Sequence, residues 1–105
     1  MFEKDKARYM TKGIASGVPM ELQSFLWAVL EREKGTHDMD YLQVFRLAIE
    51  EDGALRIDYS QEIPEWKQTY RLAAVGGTMP KELHGEKIYA IDDETHITML
   101  FANEY

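Results

Sequence analysis

The residues in this sequence that could perform acid–base or metal chemistry are three histidines and a scattered set of carboxylates. His37, His84 and His96 are far apart along the chain, whereas zinc sites generally include two ligands only a few residues apart. The chain has no cysteine, so it can form neither a disulfide nor a thiolate metal site. We therefore expect no metal site and no bound cofactor.

A pair of carboxylates for general acid–base catalysis would have to come from distant parts of the sequence. Glu62 could meet Asp92 or Asp93 if folding brought the two segments together. His96 lies beside the acidic turn at residues 92–94, where a carboxylate could accept a hydrogen bond from its ring. That turn lacks the ligand spacing and the glycine of an EF-hand loop. Since the sequence also lacks a nucleophile elbow and a phosphate-binding glycine loop, it favours a protein without catalytic residues.

The first candidate binding surface lies on the flank of a predicted helix. Met20 and Trp27 lie about 60–80° outside the main apolar stripe of the helical wheel, with Gln23 between them. Tryptophan and methionine are enriched in the cores of protein interfaces. This flank is therefore either covered by the protein's own sheet or N-terminus, or exposed as a contact for another chain.

The second candidate is a groove around Pro64, a residue that removes a hydrogen-bond donor and so predicts a break between two strands. The polar and aromatic residues of this groove are Tyr59, Gln61, Glu62, Trp66 and Tyr70. The three aromatic residues among them could instead form cross-strand pairs in the core. Sequence alone leaves both alternatives open.

The most regular element is a helix predicted over residues 19–34. Its apolar residues recur at i, i+3, i+4, i+7 and i+8, and they are Leu22, Phe25, Leu26, Val29 and Leu30. Pro19 suits the first helical position because its missing N–H is not needed there. Gly35 can end the helix in the left-handed conformation.

Alternating apolar and polar residues predict strands in most of the remaining sequence. We expect strands over residues 8–15, 41–50, 55–59, from Trp66 to the Gly76-Gly77 pair, 87–91 and 95–102, with one helical turn after Pro80. The last two strands are apolar on both faces, which is typical of strands inside a sheet. Residues 1–105 are thus predicted to form a single α+β domain. Its mostly antiparallel sheet has five or six strands, with one main helix (about residues 19–34) packed on one face.

The alternation of apolar residues in strands 41–50 and 55–59 fixes the length of the loop between them, because both apolar faces must point to the same side of the sheet. A two-residue loop would put the apolar faces of the two strands on opposite sides of the sheet. A three-residue loop at residues 51–53 instead pairs Ile49 with Leu55. It also leaves a glycine at the loop position that needs a positive φ.

The chain is acidic, with a net charge of −7, and residues 31–65 contain ten acidic and four basic residues. Because phosphate contacts require lysine and arginine, we expect no direct binding of nucleic acid. No apolar run is long enough to span a bilayer, and the N-terminal residues lack the apolar segment of a signal peptide. We therefore expect a cytoplasmic protein without a membrane contact.

Four segments of the sequence are similar to a known family: RYMTKGIASGVPMELQSFLW, DYLQVFRL, YSQEIPEWKQTY and IDDETHITMLFANEY. They resemble the small proteins catalogued as domain of unknown function 960, which occur in Gram-positive bacteria of the staphylococcal and streptococcal kind. The resemblance extends over nearly the whole chain. It implies a compact, cytosolic, single-domain bacterial protein, and it supplies no activity, cofactor or catalytic residue to assign here.

These observations favour a non-enzymatic protein-interaction module that binds an unknown protein partner or a second copy of itself. One alternative is an acidic protein that competes for a nucleic-acid-binding protein by presenting phosphate-like charge, as the acids of residues 31–65 suggest. Another is a small ligand-binding domain or enzyme whose site the sequence does not reveal. An exposed apolar patch would favour the first hypothesis, aligned carboxylates the second, and a pocket with converging polar groups the third.

Overall fold

The computed structural model of this chain describes residues 6–34, 36, 38–73, 80–93 and 95–105. The strands are β1 (Ala7–Met10), β2 (Leu42–Ile49), β3 (Leu55–Gln61), β4 (Trp66–Leu72), β5 (Lys87–Asp92) and β6 (His96–Phe101). The α-helices are α1 (Lys12–Gly17) and α2 (Met20–Glu33), and 3-10 turns occupy Lys81–Leu83 and Ala102–Glu104. The predicted helix end at Gly35, the predicted strand end at Gly76-Gly77, His37 and Glu94 lie outside the described residues.

The six strands form one mixed sheet in the order β1-β6-β5-β2-β3-β4. Strand β1 is parallel to β6, and the other four neighbouring pairs are antiparallel. The α+β class, the mostly antiparallel sheet and the main helix are therefore confirmed. Strands β5 and β6, the two with apolar residues on both faces, lie inside the sheet as predicted.

The β2–β3 hairpin has the predicted register. Leu47 pairs with Ile57 and Ile49 pairs with Leu55, which leaves a short loop with Gly53 at a φ of 85°. This left-handed conformation favours glycine over residues with a side chain. The requirement that both apolar faces point to the same side was thus sufficient to fix the loop length.

The predicted strand over residues 8–15 is wrong beyond Met10. Thr11 follows the strand and caps α1, since its hydroxyl accepts a hydrogen bond from the Ile14 N–H at 3.3 Å. Ile14 in the helix and Val18 directly after it are both buried, and the Val18 N–H donates to the Ile14 carbonyl oxygen. The side-chain cap and this hydrogen bond favour a short helix over a longer strand.

Helix α2 packs its predicted apolar stripe against the sheet. Pro19 occupies the N-cap position directly before the first helical residue, so the predicted start is correct within one residue. Phe25 is half-buried at the margin of the stripe. The other stripe residues are buried, and they are Leu22, Leu26, Val29 and Leu30. Among the described helices, none is long and apolar enough to span a lipid bilayer.

Both helices lie on one face of the sheet, which we call the covered face. Their buried side chains share one core with strand residues that include Phe45, Ile57, Ile88 and Met99. Because side chains alternate along a strand, the residues between these positions point to the opposite side, which we call the open face. In the described part of the chain, no helix packs on the open face.

Leu26 lies at the centre of the α2 stripe and is fully buried. We expect Leu26→Ala to lower the free energy of unfolding by about 2–5 kcal/mol, because it leaves a cavity between helix and sheet. Denaturant melts measure this change. Met20→Ala, at a position that is 76% exposed, is the control and should change stability by less than about 0.5 kcal/mol. Equal effects of the two substitutions would contradict this packing.

Candidate functional site

Apolar and aromatic side chains form two rows on the open face, and we call them the apolar rows. The strand register aligns Tyr9, Thr98, Ile91 and Leu42 in one row, and Leu100, Tyr89 and Val44 in the next. Tyr9 is 56% exposed, and most of the others are half-buried. The longer row crosses four strands, a width of about 14 Å at the usual strand spacing of about 4.8 Å.

Further aromatic rings extend the apolar rows at both ends. The rings of Tyr9 and His96 are in edge contact with their centroids 5.0 Å apart, and those of Tyr89 and Tyr105 are 5.8 Å apart. Tyr41 and Tyr105 are exposed. Rigid aromatic side chains of this kind supply a large contact area at low conformational cost.

A cleft opens next to the apolar rows, where β2, β3 and β4 meet the turn around Pro64. It has a volume of about 430 Å³ and contains side chains of both charges above an apolar floor. Its lining residues are Asp40, Tyr41, Leu42, Val44, Arg46, Ser60, Gln61, Glu62, Glu65 and Lys67. Because Leu42 and Val44 belong to both features, the cleft and the apolar rows form one continuous surface.

A buried hydrogen-bond network joins β2 and β3 below the cleft. The Tyr59 hydroxyl donates to the Gln43 side-chain oxygen. The Gln43 amide in turn donates to Gln61 Oε1 at 2.8 Å. Burial, together with the negative charge of Glu33, raises the pKa of Tyr59, so this hydroxyl remains a donor at neutral pH. Each partner is satisfied, as buried polar groups must be.

The same network anchors the cleft walls. The Gln61 side-chain nitrogen donates to the carbonyl oxygens of Asp38 and Pro64 at 2.8 and 2.7 Å. Its side-chain oxygen accepts the Asp40 N–H at 3.1 Å, and the Asp40 carboxylate accepts the Ile63 N–H at 3.3 Å. The turn around Pro64 is thus fixed to the segment before β2, which holds the cleft in shape.

The structure separates Glu62, in the turn after β3, from the other four predicted groove residues, whose strand positions belong to the covered face. Gln61 and Glu62 line the cleft. Tyr59 is buried on the covered face, where Trp66 and Tyr70 pack partly buried against the core. The five residues therefore do not form one continuous surface.

The predicted helix flank contains residues in three different environments. Met20 is 76% exposed. Gln23 is buried, and its amide nitrogen donates to the carbonyl oxygens of Ile14 and Val18 at 3.2 and 2.7 Å. Trp27 is half-buried, and the guanidinium carbon of Arg8 lies 5.2 Å from its ring centroid. Gln23 therefore satisfies carbonyl groups at the end of α1, which sequence reasoning did not foresee.

The acid–base candidates are not assembled into a catalytic pair. Asp92 belongs to the covered face, and its carboxylate binds the Lys6 amine at 2.7 Å, whereas Glu62 lines the cleft. Asp93 binds the His96 ring at 3.1 Å, and backbone N–H groups of residues 95 and 96 lower the pKa of Asp93. Among the described residues, no group of three or more histidines and carboxylates could hold a metal ion.

Sequence reasoning missed the open face as a site. The relevant pattern was visible in the two strands 87–91 and 95–102, which have apolar residues on both faces. This pattern was interpreted only as a sign of a central position. Since one helix covers one face, the second apolar face also predicts a surface that requires a partner.

Comparison with known proteins finds similarity over the whole fold. Residues 7–104 match the family model of the Staphylococcal protein of unknown function (DUF960), which confirms the resemblance inferred from the sequence. The chain is also similar to a crystal structure of a protein of unknown function from Enterococcus faecalis. The two are 25% identical with a TM-score of 0.83, and the match covers 100% of this chain and 98% of the other. No curated protein matches the chain.

The Tyr70 hydroxyl predicts how stability depends on alkaline pH. It donates to the Glu33 carboxylate at 2.6 Å, and burial together with this contact raises the pKa of Tyr70 from 10.0 to about 12. A pKa raised in the folded state means that the stabilisation is present below pH 10.0 and is lost as the pH rises towards about 12. We expect the melting temperature to fall over this range, and to fall less in Tyr70→Phe.

Thermal melts at increasing pH measure the effect. Tyr105→Phe, which changes a residue that is 73% exposed, is the control and should follow the wild-type curve. At neutral pH, Tyr70→Phe should cost about 1–3 kcal/mol because the buried carboxylate loses a donor. A pH dependence identical in wild type and Tyr70→Phe would contradict this assignment.

Proposed function

We propose that this chain, which belongs to the DUF960 family of staphylococcal proteins of unknown function, is a non-enzymatic protein-interaction module. Its docking surface is the open face of the sheet. The observation that supports this proposal is the pair of apolar rows, which no helix covers in the described part of the chain. Contiguous apolar surface of this kind marks interaction sites in soluble proteins.

The composition of the open face supports a protein partner. Tyr9, Tyr41 and Tyr105 combine exposed rings with hydroxyl groups, and tyrosine is enriched at protein interfaces. The half-buried Val44 and Ile91, one in each apolar row, add apolar area to these rings. A central apolar area with a polar rim is the usual anatomy of a protein interface.

The acidic-competitor alternative has less support from the geometry. Several carboxylates of residues 31–65 are paired within the protein, since Glu31 binds Arg8 and Lys34, and Glu50 binds Arg71. Paired carboxylates present less of the phosphate-like charge that the competitor hypothesis requires. The paired carboxylates of Glu31 and Glu50 therefore do not support the competitor hypothesis.

The cleft gives the ligand-binding alternative a specific location. Its volume of about 430 Å³ is within the range of small-molecule sites. Its floor is continuous with the apolar rows, so we propose that it holds a side chain of the protein partner. For the location of the protein we propose the cytoplasm, with which the absence of cysteine is consistent.

The double substitution Val44→Gln and Ile91→Gln tests the docking surface. It replaces one half-buried apolar residue in each apolar row with a neutral polar group and leaves the charge of the open face unchanged. We expect association to weaken by about 2 kcal/mol or more, as for central interface residues, while the protein stays folded. The measurements are affinity capture from bacterial lysate with quantitative mass spectrometry, and analytical ultracentrifugation for self-association.

Met20→Gln is the matched control, because it makes the same type of change at an exposed apolar residue on α2. It should leave capture and sedimentation unchanged. The proposal fails if the double variant captures the same proteins as the wild type. It also fails if Met20→Gln is the variant that loses them, which would place the docking surface on the helix flank.

A further inference from the structure

A pair of basic residues lies on the open face beside the apolar rows. Arg46 in β2 and Lys87 in β5 are direct cross-strand neighbours, and both side chains are exposed. Arg46 also follows Val44 on the same face of its strand. Like charges that face each other directly across two strands destabilise a sheet, so this arrangement needs an explanation.

A second pair of basic residues on the same face shows how carboxylates can offset the repulsion between two neighbouring positive charges. Arg56 and Arg71 are cross-strand neighbours in β3 and β4. Arg71 binds Glu50 at 2.8 Å and Asp52 at 2.6 Å, and Arg56 binds Asp58 at 3.3 Å. Each of these two arginines therefore has a carboxylate partner.

The pair formed by Arg46 and Lys87 lacks this compensation. Within the described residues, the ion pairs include neither of them. Arg46 donates instead to the neutral Ser60 hydroxyl at 3.1 Å. Asp58 lies directly across from Arg46, but its carboxylate is bound to Arg56 and to the Thr69 hydroxyl.

We infer that Arg46 and Lys87 recognise the carboxylates of an acidic protein segment that docks on the open face. This inference rests on the proposed function and specifies its partner. Lys67, across from Ser60 on the open face, adds a third positive charge and lines the cleft together with Arg46. The segment that fits this surface has apolar residues over the apolar rows and acidic residues over the basic pair.

Two other partners fit the charges less well. A nucleic acid carries phosphate along its whole length, and the cleft end of the open face carries the acidic side chains of Asp40, Glu62 and Glu65. A second copy stacked open face on open face would bring Arg46 and Lys87 of both copies into one interface, where like charges repel. An acidic protein segment avoids both conflicts because its charges are local.

A synthetic peptide provides the probe. An extended segment of about eight residues crosses the sheet, since the six strands span about 24 Å. The probe is a capped, fluorescently labelled peptide that carries leucine at alternate positions of its first half, glutamate at alternate positions of its second half and serine between them, so that all leucines and glutamates of the extended chain point to one face. A second peptide replaces each glutamate with lysine, and an oligouridylate serves as the nucleic-acid probe. Fluorescence anisotropy with the full chain, at low and at physiological salt, measures binding.

We expect the acidic peptide to bind the wild type more tightly than the basic peptide or the oligouridylate, with an affinity that falls as salt increases. Lys87→Glu should weaken its binding by about tenfold or more, while the melting temperature stays equal or rises, because the new carboxylate faces Arg46. Arg46→Gln should also weaken binding. Arg71→Gln, which changes an open-face arginine bound to Glu50 and Asp52, is the matched control, and it should leave peptide binding within about twofold.

Other outcomes overturn the inference. Equal binding of the acidic and basic peptides, no binding of the acidic peptide, or tighter binding of the oligouridylate would each do so. A loss of acidic-peptide binding in Arg71→Gln equal to that in Lys87→Glu would show a general charge effect. If the peptide fails while the Val44→Gln and Ile91→Gln variant still loses its captured partner, the inference fails and the proposed function stands.

Discussion

The structure depends on the packing of its helices, chiefly α2, against a sheet that is wider than α2. Helix α2 has 14 residues and a diameter of about 10 Å, whereas six strands span about 24 Å. Leu26 and its neighbours in the apolar stripe therefore cover only the middle of one face. Side chains on the margins of α2 extend this cover, since the Phe25 ring contacts Tyr70 in β4 and Trp27 lies against Arg8 in β1.

This constraint leaves the open face without a helix in the described part of the chain. A strand presents side chains to both faces, so a sheet that interacts with helices on one side must either be polar on the other or find a partner for it. The protein does both, in different areas. The rows that contain Val44 and Ile91 are apolar, and the area around Arg46 and Arg56 is charged.

Sequence reasoning could predict the elements whose evidence is local. The stripe of α2 and the parity of Ile49 and Leu55 were sufficient to predict the main helix and the register of the β2–β3 hairpin. Two features had no such evidence. Helix α1 has only six residues, too few for its periodicity to be distinguished from a strand. The parallel pairing of Tyr9 with Thr98 joins opposite ends of the sequence, and its register depends on the complete sheet.

The candidate site was predictable only in part for a similar reason. Alternation shows which residues share a face, but it does not show which face the helix covers. Tyr59 and Glu62 were therefore grouped around Pro64, although the structure places them on opposite sides of the sheet. The buried amides were also unforeseen, because the partners of Gln61 come from backbone groups at residues 38, 40 and 64 as well as from Gln43.

The charges of the open face bear on how this acidic protein would bind the acidic segment that we propose. At physiological salt, charges more than about 8 Å apart are largely screened, so the net charge of −7 affects approach more than contact. At contact distance, the arrangement of nearby groups decides the interaction. Arg71 is already bound to Glu50 and Asp52, so it contributes little to an incoming carboxylate. Arg46 binds only a neutral hydroxyl among the described side chains, so its guanidinium can still donate to an incoming carboxylate.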